Sequence, residues 1–71
     1  MFNRNAFRAK VVGAGMTLSG LASEIGISEA TLNRKMSGKS DFTRLEIQHI
    51  RMILRMTPDE ADAIFFAQEL T

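Results

Sequence analysis

The 71-residue chain has no cysteine, tryptophan or tyrosine, and only one proline and one histidine. Without cysteine there are no disulfides and no thiolate metal sites, a composition that suits a reducing cytoplasm. The single histidine, His49, has no second histidine or ligand-spaced acid beside it, so no metal set and no nucleophile–base relay can be assembled around it. Gly13 and Gly15 are followed by Thr17 rather than by a GK[ST] phosphate loop. No apolar run approaches the ~20 residues that span a bilayer. Arg4 and Arg8 are not followed by the long apolar block of a secretory leader. The expectation is a cytoplasmic non-enzyme with no cofactor, no membrane span and no small-molecule substrate.

Charge of one sign is scarce overall and uneven along the chain. The net charge is only +1. Residues 1–56 carry all nine Lys and Arg and four of the eight acids, a net +5, whereas residues 57–71 carry the other four acids and no base, a net −4. A basic body with an acidic end fits a protein that meets phosphate on one side, although ordinary solvated helix faces would read the same way.

What the chain does have is helix punctuation, and it predicts one all-α domain over residues 1–71 with five helices. Asn3 caps a first helix from Arg4 to Gly13, lined by Phe7 and Val11. Thr17 caps a second, from Leu18 to Ile25. The third runs from Glu29 to Met36. Thr43-Arg-Leu-Glu46 is a capping box that opens the fourth, with Leu45, Ile47, Ile50, Ile53 and Leu54 expected on its buried side. Thr57-Pro-Asp-Glu60 opens the fifth, expected over 58–70, with proline at the position where its missing N–H is harmless. A domain of this size buries only roughly 60% of its unfolded surface, so its stability is marginal.

The stretch from Thr17 to Ser37 is the most informative. Leu18, Leu21, Ala22 and Ile25 share one helical face. Gly26 stands where the chain must turn, Ser28 can cap the next helix, and Ile27 and Leu32 can pack across that cap. This is the sequence form of a helix-turn-helix, the unit whose second helix enters the DNA major groove.

Leu21-Ala22, Ile25-Gly26-Ile27-Ser28 and Thr31-Leu32-Asn33-Arg34-Lys35 resemble the Cro and repressor helix-turn-helix family of phages and bacteria. Gly38-Lys39-Ser40-Asp41-Phe42-Thr43 and Glu46-Ile47 extend the likeness. The resemblance implies a five-helix, lambda-repressor-like domain with helices 2 and 3 forming the helix-turn-helix over 17–37, and a DNA-binding transcriptional regulator that occupies double-stranded operator DNA. It implies base contacts from Glu29, Ala30, Asn33 and Arg34. It implies phosphate contacts from Thr17, Ser28, Lys35, Ser37, Lys39, Ser40, Thr43 and Arg44. The chain departs from the family at Leu18, where a phosphate-clamping glutamine is common, and at Lys35, where an apolar residue is usual. The alternative reading of Glu29 is an acid favoured by the helix dipole, and that of Arg34 a solvated charge.

Ile64-Phe65-Phe66 cannot all face one core. With Leu70 they form the expected dimer or partner contact, the alternative being that both phenylalanines wrap into the core. In the family, the last helix commonly makes the contact that spaces two recognition helices one DNA turn apart. The expected partners are thus a second copy or a partner repressor. With no second domain in these 71 residues, the expectation is a Cro-like protein rather than a full repressor. The alternative function is a modulator or anti-repressor that binds a partner repressor, with a toxin-pairing antitoxin as a third reading.

Overall fold

Each helix of the protein starts on a side-chain cap. In the computed structural model, which describes residues 2–66, the elements are α1 (Arg4–Gly13), α2 (Leu18–Ile25), α3 (Glu29–Met36), α4 (Arg44–Leu54) and α5 (Pro58–Phe65). Asn3, Thr17, Ser28, Thr43 and Thr57 each accept from a backbone N–H three residues on, at 3.0–3.1 Å. At α4 and α5 the bond is reciprocated: Glu46 accepts from Thr43 N–H at 2.8 Å and Glu60 from Thr57 N–H at 2.9 Å. Each cap contributes on the order of 1 kcal/mol.

The turns between helices are equally local in origin. Gly26 ends α2 with φ 80°, and Ile27 N–H closes the turn on Ala22 C=O at 3.0 Å. Only glycine enters that left-handed region at little cost. Three residues therefore suffice to redirect the chain from α2 into α3.

The core is built on α2, which packs against α1, α3 and α4, while α1 also contacts α5. Phe7, Leu21, Leu32 and Ile50 are fully buried at its centre. Beside them sits an aromatic cluster of Phe2, Phe7, Phe42 and Phe65, with ring centroids 5.1–6.2 Å apart. Asn3 N–H donates to Ile64 C=O at 2.7 Å, tying the start of the described chain to α5.

Three expectations are corrected here. Leu45 is not on the buried side of α4; it is 77% exposed. At 3.6 residues per turn it points roughly 140° away from Ile50, whereas Ile47, Ile53 and Leu54 stay within about 60°. Ile64 and Phe65 are not available as partner contacts, because both are buried in the chain's own core. They fall on the same face as Ala61, while Phe66 points away and is 60% exposed. Finally, α5 ends at Phe65, with Phe66 leaving helical conformation at φ −126°, ψ 32°. Leu70 and the rest of the expected 58–70 helix lie outside the described residues.

Candidate nucleic-acid interface

The back of α3 is fixed by burial. Leu32 and Met36 sink into the core against Leu21 and Ala22 of α2, with Ile25 and Ile27 half-buried at the edge. The small side chain of Ala22 permits the close approach. The front of α3 consequently faces outward, and Glu29, Ala30, Asn33 and Arg34 are all exposed. Among the described residues, none of their side chains makes an intramolecular hydrogen bond or ion pair.

The segment after α3 continues this surface. Lys39 N–H donates to Arg34 C=O at 3.1 Å, and Gly38 turns with φ 86°. Lys39 and Arg44 are exposed and carry no ion pair among the described residues, so Arg34, Lys39 and Arg44 offer cations on and just beyond α3. Ser40 is half-buried, and its hydroxyl makes no hydrogen bond among the described residues.

The expected phosphate-contact hydroxyls divide into two groups. Ser28 Oγ donates to Thr31 Oγ1 at 2.9 Å, and Ser37 Oγ donates to Arg34 C=O at 3.0 Å, so both hydrogens are spent within α3. Thr17 and Thr43 use only an acceptor lone pair in capping. Among the described residues their hydroxyl hydrogens have no acceptor, which leaves them for an outside one.

Lys35 does not join the outward cations, contrary to the sequence expectation. Its Nζ lies 2.8 Å from Glu46 Oε1 and donates to Asp41 C=O at 3.0 Å, beneath the Phe42 ring centroid at 6.0 Å. The Lys35 and Glu46 side chains retain only 11% and 16% exposure. The ammonium is thus a brace between α3, the following loop and α4. Burial pushes the Glu46 carboxyl up, but bonds from Lys35 and from the Thr43 N–H more than offset this and hold it below the usual carboxylate range. The capping box was visible in the sequence; the second use of Glu46 was not, because nothing local joins residues 35 and 46.

A parallel pair links α1 to α5. Lys10 Nζ meets Glu60 Oε2 at 2.5 Å, and hydrogen bonds from Lys10 and the Thr57 N–H hold the Glu60 carboxyl low. His49 is exposed, and among the described residues no cluster of three or more His, Cys, Asp or Glu side chains is placed to hold a metal. No described helix is long and apolar enough to cross a membrane. No protein-family model, no curated protein and no solved structure matches the chain, so the reading of this surface rests on its own geometry.

Proposed function

We propose that the protein is a sequence-specific DNA-binding transcriptional regulator of the Cro and repressor type. In this reading α2 and α3 form a helix-turn-helix, and α3 enters the major groove. The observation that carries it is the front of α3: Glu29, Ala30, Asn33 and Arg34 are exposed, and among the described residues their side chains form no hydrogen bond or ion pair, on a helix pinned from behind. Their chemistry suits base edges. Arginine pairs with guanine O6 and N7, asparagine with adenine, glutamate with the cytosine amine, and alanine with the thymine methyl. Lys39 and Arg44, with the hydroxyls of Thr17 and Thr43, supply phosphate contacts that set register.

The test is selection from a randomised duplex pool, followed by fluorescence anisotropy on the selected site at several salt concentrations. Arg34→Ala should cost about 1–3 kcal/mol and relax preference at one position, whereas Lys39→Ala should weaken all duplexes alike and lower the salt slope by about one. A chain that enriches no sequence and binds no duplex at low salt would end this reading. In that event the modulator reading takes over, in which α3 meets a partner repressor. It is favoured by the exposed Glu29 carboxylate at the front of α3, which suits a basic protein surface better than a phosphate-lined groove.

A further inference from the structure

Four exposed residues make a stripe along the outer side of α4 and its C-terminal cap. Leu45, Gln48, Met52 and Arg55 follow one another three or four positions apart and fall within about 80° around the helix axis. Leu45 and Met52 are each 77% exposed. Toward the C-terminal end, Gln48, Arg51, Met52, Arg55 and Met56 line an open groove of about 420 Å³. Two arginines, two methionines and one amide meet there, and no acid lines it. The only acid on α4 is Glu46, which Lys35 engages.

Two features of the groove call for an outside acceptor. The Arg51 Nε–H is buried without a partner among the described residues, although a buried donor is costly to leave unpaired. Arg55 closes α4 at φ 53°, ψ 47°, in the left-handed region where α2 uses glycine. Glycine would relieve that strain, but arginine supplies a charge that glycine lacks. Neither arginine makes an ion pair among the described residues.

We propose that this groove docks an acidic, partly apolar segment of another protein, its carboxylate between Arg51 and Arg55 and an apolar side chain on Met52. A guanidinium matches a carboxylate with two parallel N–H bonds, and Nε–H is among the donors of that fork. Methionine is unbranched and adapts to the shape set against it. The Gln48 amide can donate to and accept from the backbone of the segment. The stripe from Leu45 to Arg55 is about 15 Å long, the reach of about ten residues of helix or about five of extended chain. A nucleic-acid backbone fits less well, since it would pair the arginines and leave Leu45 and Met52 uncovered. The surface does not involve α3, so it stands or falls separately from the DNA reading.

The test is selection from a displayed, randomised peptide library with the immobilised full chain as bait. Recovered peptides should be enriched in Asp and Glu beside Leu, Ile, Phe or Met. A labelled recovered peptide should bind in fluorescence anisotropy with a dissociation constant of roughly 1–100 μM. Arg55→Glu should weaken that binding about tenfold or more, and lysine in place of the peptide's acidic residue should restore binding to that variant. Arg55→Gly suits the left-handed conformation, so it should weaken the peptide about fivefold while the thermal midpoint holds or rises. Arg51→Lys keeps the charge but lacks the Nε–H, and should weaken it about threefold. A library that enriches no acidic peptide overturns the proposal, as do recovered peptides that bind Arg55→Gly and Arg55→Glu as tightly as the wild type. So does a lower salt slope of duplex binding in Arg55→Gly, which would give these arginines to phosphate. A two-chain mass in solution that Arg55→Glu abolishes would place a second copy in the groove and overturn it too.

Discussion

Replacing Lys35 with methionine removes the ammonium from Glu46 Oε1 and from Asp41 C=O while keeping a stem of similar shape. With 11% and 16% of the two side chains exposed, the pair is shielded but not sealed from water. A charge-assisted hydrogen bond of this kind contributes about 1.5–3 kcal/mol when buried and under about 1 kcal/mol at the surface. The expected loss is therefore about 2 kcal/mol, which lowers the midpoint of a domain this size by roughly 10 °C. Glu46→Gln keeps the capping acceptor and removes only the charge. A double-mutant cycle of the two, followed by urea unfolding, should give a coupling of about 1–1.5 kcal/mol. The pH dependence has a definite sign. Because the folded carboxyl sits below its ordinary value of 4.5, its contribution is complete above that pH and is lost as pH falls through the lowered folded value. Glu46→Gln should flatten that acid limb. A coupling within about 0.3 kcal/mol of zero would refute the brace. So would a lower salt slope of DNA binding in Lys35→Met, which would return Lys35 to the phosphate contacts.

The two adjacent phenylalanines should separate cleanly. Phe65→Ser should unfold or severely destabilise the domain, at roughly 3 kcal/mol or more, while Phe66→Ser should change stability by less than about 0.5 kcal/mol, both read by thermal circular dichroism. Equal losses would mean that the α5 faces are assigned wrongly. The left-handed positions should also part in opposite directions. Gly26→Ala should cost about 1–2 kcal/mol at φ 80°, whereas Arg55→Gly, at φ 53°, should be neutral to stabilising by up to about 1 kcal/mol.

What was legible in the sequence is what is decided within a few residues. Thr43 and Glu46, or Thr57, Pro58 and Glu60, specify a helix start by bonds that span three positions, and the helices begin there. Gly26 and Ser28 specify the α2–α3 turn in the same local way. Side choice on a helix was harder. Leu45 follows the cap and is apolar, yet its angle relative to Ile50 sends it outward. Ile64, Phe65 and Phe66 left two faces open, and only the ring cluster of Phe2, Phe7 and Phe42 decides that Phe65 turns inward. Lys35 was unreadable for a different reason. Its partners Asp41 and Glu46 lie six and eleven residues away and meet it only after α3 and α4 have packed.

Both capping-box glutamates are used twice, and this division of labour bears on the candidate interface. Each caps its own helix and receives a lysine from another: Glu46 takes the cap and Lys35 of α3 on the same Oε1, while Glu60 caps through Oε1 and receives Lys10 of α1 on Oε2. The orientation of α3 is set by Leu32 and Met36 beneath it and by Lys35 at its far end. None of these residues lies on its exposed front. Among the described residues the exposed side chains of Glu29, Ala30, Asn33 and Arg34 make no hydrogen bond or ion pair, so substitution there should leave stability nearly unchanged. A surface whose side chains are free of structural duty, on a helix held rigidly from behind, can change what it recognises without changing how it folds. That separation is what a recognition element needs, because the cost of ordering it is met by other residues before any partner arrives.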